Sequence, residues 1–244
     1  MKLFFISLVL IVTACSCKFS EDRKSDSNTT KTTAQTFKVR YIRENDADFT
    51  QINNAIVNIG KGKTKLLIDV RTKSSEHYIF AFKENIIKIS NYGGDSVDVY
   101  GVDNKPVRKD YVEAVSDTIK NLSAFVIKEQ NNTYVKKCSF QDSGSELYYP
   151  TFEYRYCYAD DADNDGEPEF YLTYYGESDG LDAKPLKVIT YYHFDKAKAT
   201  AYYPAGNEED KYYVEYDKNW KTLPKMIQEK VNNILESRKN ETKP

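Results

Sequence analysis

Residues 152–174 read Phe152-Glu153-Tyr154-Arg155-Tyr156-Cys157-Tyr158-Ala159-Asp160-Asp161-Ala162-Asp163-Asn164-Asp165-Gly166-Glu167-Pro168-Glu169-Phe170-Tyr171-Leu172-Thr173-Tyr174. Large apolar residues alternate with others on both sides of an acidic centre: Phe152, Tyr154, Tyr156 and Tyr158 before it, Phe170, Leu172 and Tyr174 after it. A period of two is the mark of a half-buried strand. Asp, Asn and Gly between two such runs supply a turn. The stretch is therefore expected to be a β-hairpin, with Tyr156 opposite Phe170 and Tyr154 opposite Leu172. That register gives one aromatic-aliphatic face and puts Arg155, Cys157, Glu169 and Tyr171 on the other.

The turn itself carries six carboxylates in the ten residues 160–169. Crowded carboxylates repel unless water or a cation intervenes. Asp161, Asp163 and Asp165 stand at alternate positions before Gly166, a spacing that lets several oxygens reach one Ca²⁺ while the glycine permits the sharp turn. The loop is not an EF-hand: the twelfth position counted from Asp161 is Leu172, where that motif needs a bidentate Glu. It resembles instead the Asp-x-Asp-x-Asp-Gly-x-x-Glu loops of FG-GAP and VCBS-type β-repeats. The resemblance implies a structural Ca²⁺ held by Asp161, Asp163, Asp165 and Glu169, between two strands. It covers about ten residues and occurs once, so no propeller is implied. A solvated Asp/Asn/Gly turn without metal is the plain alternative.

Alternation recurs on both sides of this hairpin. Strands are expected at 124–128, 132–139, 150–158, 168–176, 186–194, 198–203 and 211–216. Earlier in the chain they are expected at 37–41, 66–70, 78–82, 86–89 and 97–102, with Lys83-Glu84-Asn85 and 91–95 as turns. Helical spacing links Phe49, Ile52, Ile56 and Ile59, with Gly60 as a stop. It also links Val107, Tyr111, Val115, Ile119 and Leu122. Thr222 as N-cap and Pro224 in the first turn open a C-terminal helix, whose stripe is Leu223, Met226, Ile227, Lys230, Ile234 and Leu235. The expected fold class is α+β: mainly antiparallel β-sheet with two or three packed helices, including the C-terminal one.

Of the 21 tyrosines, 16 follow residue 130. Tyrosine suits strands and carries an apolar body with a polar tip. A core built on Tyr is one reading, and aromatic platforms for sugars or partners are the other. Formal net charge is −2, so no basic field points to nucleic acid. Cys138 and Cys157 are a possible disulfide, which export favours. Against it, a tight hairpin at Ser143-Gly144-Ser145 would set Cys138 opposite a residue near 150, short of Cys157. His77 and His193 lack a His or Cys neighbour at metal spacing and are expected on strand surfaces. No Gly-x-Ser-x-Gly elbow, His-Glu-x-x-His helix or phosphate-binding loop occurs. Trp220 with its neighbouring tyrosines is either a sugar platform or core, and a second acidic loop follows at 176–182.

The N-terminus decides location. Met1-Lys2 is a short basic start, Leu3–Val12 is apolar apart from one serine, and Val12-Thr13-Ala14-Cys15 follows. The apolar run is half the roughly 20 residues that a spanning helix needs, so it reads as a cleaved secretory signal. The four residues resemble the lipobox of bacterial lipoproteins, which implies lipidation of Cys15. Ser16 behind it implies outer-membrane sorting by the rule of that family. Residues 18–36 are almost wholly polar and are expected to be a disordered tether, with a typical span of roughly 25 Å. The expected organisation is a signal peptide at 1–14, the lipidated cysteine and tether at 15–36, an N-terminal α+β part at 37–128, and a Tyr-rich β-sheet part with the C-terminal helix at 129–244, the last two being either separate or one domain.

The whole arrangement loosely resembles Bacteroidota-type lipoproteins labelled as surface-polysaccharide biosynthesis proteins. The functional expectation is a lipid-anchored envelope protein that binds or assembles, with a glycan or envelope protein as partner. A carbohydrate-active hydrolase using a carboxylate pair and a structural lipoprotein without ligand are the alternatives.

Overall fold

The computed structural model describes residues 36–100, 102–178, 185–204 and 211–241. The signal segment, Cys15 and the tether lie outside them. These described residues belong to one compact unit. Its elements, in chain order, are β1 (Lys38–Ile42), α1 (Phe49–Ala55), β2 (Lys63–Arg71), β3 (His77–Tyr92), β4 (Ser96–Tyr100), β5 (Pro106–Tyr111), β6 (Val115–Gln130), β7 (Thr133–Ser143), β8 (Tyr148–Phe152), β9 (Tyr158–Asp160), β10 (Glu169–Ser178), β11 (Leu186–Tyr192), β12 (Asp195–Tyr202), β13 (Tyr213–Tyr216) and α2 (Lys225–Glu241). The fold is α+β and mainly antiparallel sheet, with a C-terminal helix.

Two sheets carry it. The first has the order β1-β2-β3-β6-β7, and the second β13-β12-β11-β10-β8, with β9 also paired to β10. Alternation along β3 explains the layering. Tyr78, Phe80 and Phe82 point to one side and join Phe152, Phe170, Leu172 and Tyr174 of the second sheet in a shared core. Ile79 and Ala81 point to the other side and meet Phe49 and Ile56 from the α1 region. On the far face of the second sheet, Tyr171, Val188 and Ala199 pack on Ile227, Val231 and Leu235 of α2. The layers are thus helix, sheet, sheet, helix. Aromatic rings fill the middle: Phe80 lies 4.4 Å from Phe82 and 5.4 Å from Phe170 by ring centroids. Each fully buried side chain of this size contributes about 1.5–3 kcal/mol. Several tyrosines serve the core as expected, among them Tyr78, Tyr171, Tyr174 and Tyr191. Trp220 is buried as well and stacks on Tyr216, with ring centroids 4.3 Å apart.

Some expected elements differ. Lys83-Glu84-Asn85 is no turn, because β3 runs straight through it. Lys83 tolerates burial because its ammonium donates to the carbonyls of Val57 and Gly60 behind α1. The helix expected over 107–122 is absent: those residues form β5 and the start of β6. Val107, Tyr111, Val115 and Ile119 favour strands by residue type, and that preference overrides their helical spacing. The expected strand 150–158 breaks at a 3-10 turn, Tyr154–Tyr156. Tyr174 faces Phe152 in the expected register, but Phe170 faces Ala159, not Tyr156. The 3-10 turn absorbs the difference and moves Cys157 onto the core face. Ser143-Gly144-Ser145 is not a hairpin turn either. There the chain crosses from the first sheet to the second. Gly144 is needed at the crossing, since a Cβ would stand 2.5 Å from the Lys120 carbonyl oxygen. The boundary expected at 128/129 falls inside β6.

Beyond the sandwich, β3 and β6 continue as a two-stranded ribbon. The last β2 pairing on β3 is Lys63 with Glu84, and the last β7 pairing on β6 is Ser143 with Asn121. Past them β3 still pairs with β6 as far as Tyr92 with Val115, through a bulge between Ile86 and Lys88. The β4–β5 hairpin extends this arm. Ile86, Ile87, Ile89, Val107 and Tyr111 are exposed along it.

Candidate functional site

The acidic loop joins β9 to β10. Glu169 pairs with Asp160 at its base, and Asn164 and Gly166 take left-handed backbone, φ 61° and 93°. This winding brings the carboxylates of Asp161, Asp163 and Asp165 together, with one oxygen of each within 4.8 Å of the others. Backbone N–H groups of the loop meet them: Gly166 donates to Asp161 Oδ1 at 3.2 Å, Asp165 to Asp163 Oδ1 at 3.2 Å, and Glu167 to Asp165 Oδ1 at 2.8 Å. Glu169 is only 1% exposed. It stands outside the converging group, and its Oε2 accepts the Ala162 N–H at 2.7 Å. Burial pushes its carboxyl up to about 8, and the charges of Asp163, Asp165 and Asp161 add to the shift against the Ala162 hydrogen bond.

Cationic and polar groups close over the loop. Lys73 Nζ lies 3.4 Å from Asp161 Oδ2, and His193 Nε2 lies 3.3 Å from Asp165 Oδ2. His193 is a turn residue, not a strand-surface one: it and Phe194 take φ 46° and 67° between β11 and β12, the pattern of a tight hairpin turn. Burial raises the Tyr192 pKa, and the nearby Asp163 carboxylate adds to it. The donor set is hard oxygen, which suits Ca²⁺. Ca–O distances of about 2.3–2.6 Å place ligands at most about 5 Å apart across one ion, so the three aspartates match a single cation in size.

The turn that carries Lys73 also builds a second polar cluster. The Tyr78 hydroxyl donates to Glu76 Oε2 at 2.7 Å and lies 3.3 Å from Glu167 Oε2 in the acidic loop. Glu76 in turn holds Lys128. His77, expected on a surface, is 8% exposed. Its Nε2 is 2.7 Å from Asp69 Oδ1, and its Nδ1 meets Glu129. Arg40 lies 2.9 Å from the other oxygen of Asp69 and also holds Asp48. Charges therefore alternate across the first sheet: Asp48, Arg40, Asp69, His77, Glu129. Asp69 raises the His77 pKa most, with help from Glu129 and against burial. The Asp69 carboxyl is lowered by His77 and Arg40, whose hydrogen bonds overcome its burial. Beside the bracket opens a polar cleft of about 660 Å³, lined among others by Arg71, His77, Lys128, Glu129, Asn131 and Asn132. No sequence spacing marks it, because its residues come from β2, β3 and the β6–β7 turn. The available signal was a His flanked by Glu76 at the start of a strand.

Other expected sites resolve differently. Cys138 and Cys157 are free thiols. Burial pushes both up to about 12, and the Cys157 sulfur accepts the Thr173 N–H at 3.4 Å, so neither is a poised nucleophile. The second acidic loop lies mostly outside the described residues. No helix among the described residues is long and apolar enough to cross a membrane.

Fold and site together define a two-sheet α+β body with one acidic loop locked at a sheet end. Comparison with known protein families, with curated proteins and with solved structures finds no match.

Proposed function

We propose that this chain is an outer-membrane lipoprotein, anchored through lipid on Cys15, that acts as a binding or assembly protein for surface polysaccharide and carries a Ca²⁺-stabilised loop. The observation behind the loop is the convergence of Asp161, Asp163 and Asp165 on one ion-sized space. Burial is the main cause that pushes the Glu169 carboxyl behind them up to about 8, and the charges of Asp163, Asp165 and Asp161 add to it; that added negative charge is what a cation relieves. The ion would be held by the three aspartates, with Glu169 reinforcing the field from behind. Its chemistry would be charge neutralisation, fixing the loop against Lys73 and the β2–β3 turn. Affinity on the order of 10⁻⁴–10⁻³ M is expected of such an extracellular site. The anchor rests on Val12-Thr13-Ala14-Cys15.

Calorimetric titration of the detergent-solubilised chain with Ca²⁺, beside Asp163→Ala, tests the loop. Saturable heat that disappears in the variant is expected, and a flat wild-type trace rejects the loop reading. For the anchor, Cys15→Ser should release the protein from the membrane fraction or block its processing. Unchanged attachment would refute it.

A further inference from the structure

We infer that the polar cleft beside His77 binds a carboxylated sugar, of the uronate class, with Arg71 as the carboxylate anchor. The cleft lies within the usual volume range of small-molecule sites, roughly 300–1,000 Å³, at about 660 Å³. The residues that line it are all polar or charged, which disfavours an apolar ligand.

Its charges are not equally free. Lys128 is held by Glu76. His77 is fixed between Asp69 and Glu129 through both ring nitrogens, so it braces the wall and offers no proton acceptor. The Arg71 side chain makes no hydrogen bond or ion pair among the described residues, although its charge acts on Asp69 and His77. A planar guanidinium fork facing an open cleft selects a carboxylate or a phosphate. Glu76 and Glu129 line the same space, and they oppose a dianion more than a single negative charge. That favours carboxylate over phosphate.

The remaining lining suits hydroxyl groups. Gln130, Asn131 and Asn132 present amide donors and acceptors, and Glu129 keeps acceptor capacity beyond its bond to His77. Asn131 and Asn132 are turned by left-handed backbone, φ 50° and 59°, and Ser75 across the cleft stands at φ 69°. A ligand with one carboxylate and several hydroxyls answers this lining. The inference draws on the polysaccharide reading only for the sugar class, and it does not need a cation on the acidic loop.

The test uses the full chain in detergent, with EDTA present so that Ca²⁺ cannot bridge sugar and protein. Methyl galacturonoside, which carries one carboxylate, is titrated calorimetrically, beside its methyl ester, which keeps the hydroxyls and loses the charge, and beside inorganic phosphate. Saturable binding of the acid is expected, at least tenfold weaker for the ester and for phosphate. Arg71→Gln should lose at least tenfold for the acid with an unchanged melting temperature, since Arg71 is exposed. Asp163→Ala should bind as wild type does. Failure of the acid to bind, equal binding of the ester, equal binding of phosphate, or indifference to Arg71→Gln each overturns the inference. A flat Ca²⁺ titration with intact uronate binding would sink the loop reading alone.

Discussion

The two ends of β3 invert the usual relation between polarity and burial. At its start His77 is 8% exposed, while near its far end Ile86, Ile87 and Ile89 are 54–58% exposed. The start lies between β2 and β6 and against the second sheet. Among the described residues the far end has β6 alone beside it. Burial on this strand is set by which elements reach it and not by its own hydropathy. The polar start is tolerated because each charge has a partner, whereas the apolar arm exposes surface of the kind that marks contact sites. Its edges are open to further strand pairing.

The contrast can be tested in order of expected effect. Phe80→Ala, in the covered segment, should cost about 3–5 kcal/mol, read as a fall in the urea midpoint. A loss near 1 kcal/mol would mean that the two sheets do not share a tight core. Next, His77→Leu should cost about 3 kcal/mol near pH 6, because Asp69 and Glu129 lose the cation between them. The pH dependence has a definite sign. The folded His77 pKa is raised above its usual value, so its contribution is full below about 6.5 and is lost as pH climbs through the raised value. Arg71 opposes the shift, and Tyr134, raised mainly by burial and further by Glu129 and Asp69, titrates well above it. Urea unfolding at pH 6 and 9 should therefore show the wild type approaching the variant as pH rises.

Glu169 at the start of β10 is another buried ionisable group, with no cationic partner among the described residues. Its folded carboxyl titrates near 8, above the unfolded value, so the folded state holds the extra proton and stability falls as pH rises from about 4.5 to 8. Without divalent cation at pH 8, Glu169→Gln should be the more stable form, by on the order of 2 kcal/mol. Saturating Ca²⁺ should narrow or reverse that order, and calorimetric melting in EDTA and in Ca²⁺ checks both. The smallest effect is on the arm. Ile89→Ser should change stability by about 0.5 kcal/mol or less while reducing self-association in sedimentation. A large loss would place a hidden partner for the arm within the chain.

How far this was legible varies by residue. The hairpin around the acidic loop was readable because alternation and turn chemistry agree there, and Asp161, Asp163 and Asp165 do meet. The fourth expected ligand, Glu169, lies buried behind them, and one of its oxygens accepts the Ala162 N–H; no spacing rule encodes that hydrogen bond. The 107–122 segment failed because the four-residue spacing of Val107, Tyr111, Val115 and Ile119 fits a period of two as well as a helix, and only the pairing partners, β4 and β3, decide between them. The His77 bracket was invisible because Asp69, His77 and Glu129 become neighbours only once β2, β3 and β6 are in register. The break at Tyr154–Tyr156 hid in an unbroken alternation, and it is what carries Cys157 into the core.

Trp220 gives the chain a single indole chromophore, stacked on Tyr216 of β13 beneath α2. Its emission is therefore a local gauge of how α2 and β13 sit on the second sheet, blind to the arm. Selective excitation during unfolding, set against far-ultraviolet circular dichroism of all the strands, asks whether the two sheets come apart in one event. Coincident curves would make the sandwich a single cooperative body. An earlier loss of the indole signal would show the helix and outer strand peeling away while the aromatic middle holds.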